Sequence, residues 1–161
     1  MQYSTPHLCD QYGDSHHLQI VDPVYKSFGG HSKVQGIVHT VKVFEDNVLI
    51  RAALSETVTD GVLVVDGGGS HRCALLGSGL ARQAADNGWK GILIYGCVRD
   101  TLELASIPIG IWALHPNPLK SGKKGHGDRD KLISFSGVNF RTGLYFYADE
   151  DGIIIADETL S

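Results

Sequence analysis

Arg99 and Asp100 stand side by side just after an apolar run, residues 91–95 (GILIY), that breaks at Gly96. A cation and an anion delivered together where a core strand ends have two readings. They form a structural ion pair at a loop, or they stand at the mouth of a site. A second segment bears on the choice. Gly77, Ser78, Gly79 and Leu80 open a helix-like pattern. The first amides of a helix lack partners within it and carry the positive end of its dipole. Glycines on both sides of Ser78 let an anion come close to that backbone. A carboxylate gripped by those amides and by Arg99, with Asp100 beside it to hold a hard cation, makes a coherent site for a small metal-bound keto acid. Magnesium tolerates a single protein carboxylate, because it keeps waters and takes ligands from its substrate. Plainer readings stand beside these. Ser78 is a helix cap and nothing more, and Gly67, Gly68 and Gly69 only turn the chain. Asp66, just before them, is a further ligand, a helper or a brace of that turn.

The elements that must position these residues are clearest at the centre of the chain. Residues 61–65 (GVLVV) form a continuous aliphatic run, the pattern of a strand buried on both faces. A helix fits residues 78–87, with Leu76, Leu80 and Ala84 on one face and Arg82, Gln83 and Asp86 pointing outward. Ser78 is its expected cap, and Gly88 sits where a C-terminal glycine belongs. Residues 91–95 are the next buried strand. Strand, helix and strand make a right-handed crossover with parallel strands. Ligands bind such sheets beyond the carboxyl ends of the strands, which is where both candidate segments fall.

Elsewhere, Thr5 and Pro6 read as the cap and first residue of a helix. Residues 34–44 read as a half-exposed strand, and residues 46–55 as a short helix capped by Asp46. Residues 110–114 form another strand. Residues 144–147 and 152–155 flank a DEDG turn as a hairpin or as two late strands. The fold class is α/β with a mixed sheet. Lys120, Lys123, Lys124, Arg129 and Lys131 cluster around a polar loop, which reads as a solvated loop or a docking patch.

The 161 residues suit one domain, residues 1–161, with a real core. A net charge of −4 argues against nucleic acid as a partner of the whole surface. No apolar run approaches a membrane span. Residues 1–10 lack the pattern of a signal peptide. Three widely spaced cysteines, Cys9, Cys73 and Cys97, fit free thiols in a reducing compartment, so cytoplasm is the expectation. Neither glycine pair (67 and 69, 77 and 79) has the third glycine of a dinucleotide fingerprint, and there is no Walker loop. The eight histidines (7, 16, 17, 31, 39, 71, 115 and 126) show no zinc-ligand spacing and read mostly as surface residues.

In order along nearly the whole chain, TPHLCDQY, FGG, VKVFEDN, VLVVDGGGS, GWKGILIYGCVRD and YADEDGIII resemble the regulator of ribonuclease activity A (RraA) family. That family shares its fold with class II 4-hydroxy-4-methyl-2-oxoglutarate aldolases. The resemblance implies a swivelling-type β/β/α domain and a ring-shaped homotrimer. It implies cleavage of a branched hydroxy-keto diacid to two pyruvates and decarboxylation of oxaloacetate, with Mg or Mn as the divalent metal. By position it makes Arg99 the substrate-binding arginine and Asp100 the metal-linked aspartate. Gly77, Ser78, Gly79 and Leu80 become the backbone segment that receives substrate. The aldolase pattern is Asp, twenty residues, then Arg-Asp. Here Ser78 occupies the first position. Serine is a poor base at neutral pH, so the resemblance implies that decarboxylation survives this exchange better than aldol cleavage. The family name also implies a second role, a non-catalytic protein regulator that binds and inhibits ribonuclease E.

Overall fold

Aliphatic runs without polar interruption can only sit where both sheet faces are covered, and two of them form the centre of the fold. The computed structural model describes residues 4–14 and 17–160. His16 and the first three residues of the segment tested for a signal peptide lie outside that range. The elements are α1 (Thr5–Tyr12), β1 (Leu18–Ile20), β2 (Lys26–Ser27), β3 (Val34–Lys42), α2 (Val48–Leu54), β4 (Gly61–Asp66), β5 (Ala74–Leu76) and α3 (Ser78–Asp86), followed by β6 (Trp89–Tyr95), β7 (Cys97–Val98), α4 (Thr101–Leu104), β8 (Gly110–Ala113), β9 (His115–Pro116), β10 (Asp128–Arg129), β11 (Ile133–Phe135), β12 (Val138–Phe140), β13 (Tyr145–Asp149) and β14 (Gly152–Ala156).

The main sheet runs β1-β14-β13-β3-β4-β6-β8-β2, and β10 also pairs with β3. Its centre, β3-β4-β6-β8, is parallel, and its flanks are antiparallel. The sheet is therefore mixed, as expected. Every residue of β4 is buried. Leu63 and Val65 pack with α2 and α3 on one face, while Val62 and Val64 pack with the β11–β12 hairpin on the other. Each such side chain stabilises the fold by about 1.5–3 kcal/mol.

β5, β7 and β9 make a separate parallel sheet just past the carboxyl ends of the central strands. Sequence patterning does not reveal it, because strands of two or three residues are too short to show a period. It places Leu76 and Val98 side by side, so the segments they lead into, 77–80 and 99–100, must meet.

Several terminal assignments shift. Ser4, not Thr5, caps α1, accepting from the His7 amide at 3.2 Å. Gly77, not Ser78, is the N-cap of α3, and Ser78 is its first helical residue. Asn47 stands at the cap of α2, while the Asp46 Oδ1 one residue earlier accepts from the Val48 amide at 3.0 Å. The turn after β4 has Gly68 and Gly69 at φ +69° and +70°. A side chain there would be strained, and its Cβ would also strike Phe44 or Tyr95. Asp66 Oδ1 accepts from the Gly68 amide at 2.9 Å, so this carboxylate braces the turn.

Candidate active site

Asp100 is an unusual residue in the backbone. It holds φ 61° and ψ 43°, the left-handed region, at the N-cap of α4. Aspartate tolerates that conformation better than most residues. An N-cap aspartate would ordinarily bond its own helix. This one makes no such bond. Its Oδ2 reaches back to α3, accepting from the Ser78 amide at 2.9 Å and the Ser78 hydroxyl at 3.2 Å. The Ser78 amide is the main force holding the Asp100 carboxyl below its ordinary range, with smaller contributions from the Ser78 hydroxyl and Arg99. Asp100 is therefore a carboxylate at neutral pH, with Oδ1 free of hydrogen bonds among the described residues.

The expected helix-terminus site is thus changed in one respect. The Ser78 amide is already taken by Asp100. The amides of Gly79 and Leu80 have no hydrogen-bond partner among the described residues and remain available to an anion. Gly77 is required for space: its backbone is extended, but a Cβ would stand 2.8 Å from Asp100 Oδ2. At Gly79 a Cβ would meet nothing within 4 Å, because that residue borders open space.

Arg99 does not form an ion pair with its neighbour. Among the described residues its guanidinium finds only the Pro118 carbonyl, to which Nη1 donates at 3.3 Å. Its own amide is fixed by the Leu76 carbonyl at 2.9 Å. Both Arg99 and Asp100 face a cleft of about 390 Å³ that Gly77, Gly79 and Leu80 also line. The structure brings the predicted residues together, and the structural ion-pair reading falls.

Sequence reasoning missed much of the cleft wall. Arg51, Lys120 and Lys123 also line it. Gln83, expected to point outward, lines it as well. The lysines arrive through long-range bonds. Asp46 Oδ2 accepts from the amides of Lys124 and Gly125. Burial pushes the Asp46 carboxyl up, but the amides of Val48, Lys124 and Gly125 outweigh it and hold the group below its ordinary range. Lys123 Nζ donates to Asn47 Oδ1 at 3.1 Å, and Asn47 Nδ2 to the Leu75 carbonyl at 3.3 Å. The loop expected to be freely solvated is therefore stitched to the start of α2.

Four cations, Arg51, Arg99, Lys120 and Lys123, thus surround one carboxylate. None of them is in an ion pair among the described residues, whereas Arg72, Arg82, Lys90 and Arg129 on other surfaces each are. Clustered unpaired cations repel one another and favour an anion carrying more than one charge. A second hollow, of about 400 Å³, lies beside Tyr25 and Trp112 and has carboxylates but no basic side chain in its lining. It does not suit an anion.

For a metal the donor set is narrow. Among the described residues there is no group of three or more His, Cys, Asp or Glu side chains placed to hold an ion. Asp100 is the one carboxylate lining the cleft. That fits a hard dication held at a single protein oxygen and otherwise by water and a chelating anion, and it does not fit a closed metal cage. Among the described residues no helix is long and apolar enough to cross a membrane.

Comparison with known proteins gives the following. The RraA-like family model, described as Aldolase/RraA, matches residues 5–155. A protein of Methylococcus capsulatus provisionally named 4-hydroxy-4-methyl-2-oxoglutarate aldolase is 59% identical over 160 residues, 99% of this chain and 99% of its own. A crystal structure from Geobacillus kaustophilus, named as an S-adenosylmethionine:2-dimethylmenaquinone methyltransferase, superposes with a TM-score of 0.94. It is 46% identical and covers 98% of this chain and 97% of its own. The RNA-processing inhibitor RraA from Thermus thermophilis also gives 0.94, with 45% identity over 100% of this chain and 96% of its own.

Proposed function

The chain belongs to the RraA-like family, and from that premise we propose that it is a carbon–carbon lyase acting on small pyruvyl dicarboxylates. The observation that carries this reading is the convergence of Arg99, Asp100 and the free amides of Gly79 and Leu80 on one cationic cleft. Arg99 and the two amides take the carboxylate next to the keto group. Arg51, Lys120 and Lys123 favour a dianion over a monoanion. Asp100 would hold a divalent cation, magnesium or manganese, which when bound supplies Lewis-acid polarisation of the keto oxygen. In oxaloacetate the C3–C4 bond breaks, CO₂ leaves, and the electron pair moves to the C2 oxygen as an enolate. The cationic wall stabilises that charge, and a proton from water at C3 completes pyruvate.

Aldol cleavage asks for one more group, a base for the substrate hydroxyl. Ser78 stands where the family's aldolases carry aspartate, and its hydroxyl already donates to Asp100. On this chemistry the site favours decarboxylation, while the names of the relatives favour aldol cleavage. The methyltransferase name of the Geobacillus structure is not carried over.

A second reading draws on Ser78 together with the likeness to the Thermus RNA-processing inhibitor. In it the chain is a protein regulator that binds and inhibits ribonuclease E, and the cleft is not its working part. In either case we propose a ring-shaped homotrimer. Leu102 and Leu119, 92% and 60% exposed beside the cleft, are apolar surface for a neighbouring copy to cover. Mass by light scattering tests that assembly.

The deciding experiment incubates purified protein with Mg²⁺ and oxaloacetate and follows pyruvate above the metal-only background. A metal-dependent rate that Arg99→Ala and Asp100→Ala both abolish is expected. No rate, together with measurable binding to ribonuclease E, would replace the lyase with the regulator.

A further inference from the structure

Two exposed imidazoles that the cleft does not use lie close together beside the small β5-β7-β9 sheet. His71 follows the glycine turn after β4, and His115 opens β9. Their ring centroids are 6.0 Å apart with planes at 52°. Each Nδ1 lies on a backbone carbonyl, His71 on Gly69 at 3.1 Å and His115 on Pro116 at 2.6 Å. A carbonyl can only accept, so each Nδ1 is the N–H donor, and in the neutral ring each Nε2 carries the lone pair. Neither Nε2 has a hydrogen-bond partner among the described residues. Metal-ligating histidines are held in this same state, with the far nitrogen tied to a carbonyl or carboxylate.

A metal–imidazole bond is about 2.0–2.1 Å, and the ring centroid lies roughly 1.1 Å further on, so two rings at a tetrahedral angle on one ion have centroids about 5.1 Å apart. The observed 6.0 Å is wider, so chelation requires these two exposed rings to close by about 1 Å. The backbones are already ordered relative to each other. Asn117 Nδ2 donates to the His71 carbonyl, and the Asn117 amide donates to Val98 at 2.9 Å. His115 pairs with Cys97 in the small sheet. A chelate here costs little further conformational entropy. The nearest cation in sequence, Arg72, is offset, because its Nε donates to Glu45 at 2.6 Å and its guanidinium lies over the Phe44 ring.

We propose that His71 and His115 together chelate one exchangeable transition-metal dication through their Nε2 atoms. Imidazole pairs select nickel, copper or zinc over magnesium and calcium, so this site is chemically distinct from the oxygen site at Asp100. Water fills the remaining positions, which makes the ion exchangeable rather than structural. Nothing in this proposal depends on the lyase reading.

Calorimetric titration of tag-free protein with Ni²⁺, in excess Mg²⁺, tests it. His71→Ala and His115→Ala should each remove one whole equivalent of bound nickel, and His31→Ala none. Nickel should raise the thermal midpoint of the wild type and leave that of both variants where it was. His71→Gln and His115→Gln replace any alanine variant that does not fold. An isotherm unchanged in either variant, a loss of half an equivalent, or no nickel binding by the wild type would overturn the proposal.

Discussion

Two carboxylates in this molecule grip a helix N-terminus in the same way and are left in opposite states. Asp149 takes the Thr5 amide at 2.7 Å and the Thr5 hydroxyl at 2.6 Å, at the first residue of α1. Asp100 takes the Ser78 amide and hydroxyl at the first residue of α3. In the first case the bonds are divided between both oxygens, the Asp151 amide adds another at 2.9 Å, and the group is buried. In the second, both bonds fall on Oδ2, and Oδ1 is left open beside a cleft of unpaired cations. The first grip is a latch that closes α1 onto the end of the β13–β14 hairpin. The second orients a carboxylate and keeps it charged without using it up. What separates them is how many oxygens remain free and which charges surround them.

Exchanging the two residues should therefore produce opposite failures. Asp100→Ala should lower oxaloacetate decarboxylation by at least about 10²-fold, with a loss of stability of only about 1 kcal/mol, the cost of a left-handed alanine. Asp149→Ala should cost about 2–4 kcal/mol of stability, because buried donors lose a charged acceptor, and should leave the specific activity of the folded fraction intact. Acid sharpens the contrast. Burial pushes the Asp149 carboxyl up, but the bonds from Thr5 and the amides of Asp151 and Gly152 outweigh it and hold the group below its ordinary range. Its contribution is complete above the usual carboxylate range and is lost as pH falls through the lowered value. Wild type should lose stability in that acid window, and Asp149→Ala should show less of the loss.

The next effect concerns the helix residue rather than the carboxylate. A positioned general base contributes about 10²–10⁴ in rate, and Ser78 supplies none. Steady-state kcat/KM should be higher for oxaloacetate than for 4-hydroxy-4-methyl-2-oxoglutarate. Equal values would contradict the role given to Ser78.

The smallest effect separates two neighbouring glycines. Gly77→Ala drives a methyl against Asp100 Oδ2 and should raise KM and lower kcat. Gly79→Ala meets no atom within 4 Å and should leave the fold unchanged. Paired melting curves and kinetics distinguish them.

The parts of this comparison were unequally legible in the sequence. β4, α3 and β6 announce themselves, because burial on both faces demands unbroken aliphatic runs and an amphipathic helix keeps a period. Arg99 and Asp100 could be placed near residues 77–80 because parallel strands end on one edge. The hairpin around residues 149–152 was readable too, yet nothing local tied Asp149 to Thr5, which is 144 residues away. Lys120 and Lys123 looked like a solvated cluster, since their placement rests on Asp46, whose bonds to residues 124 and 125 span 78 and 79 positions. The β11–β12 hairpin was missed although a Ser136-Gly137 turn between alternating apolar residues marks it. Patterns expose periodic burial, whereas contacts made by single polar atoms across the chain leave no period to find.

Binding of Mn²⁺ in the presence of oxalate, an unreactive mimic of the pyruvyl enolate, tests the open Asp100 oxygen most directly, because it needs no turnover. Wild type and Asp149→Ala should gain one bound Mn²⁺ per chain when oxalate is added, and Asp100→Ala should gain none. Retention of oxalate-dependent Mn²⁺ by Asp100→Ala, or its absence from the wild type, would contradict the account.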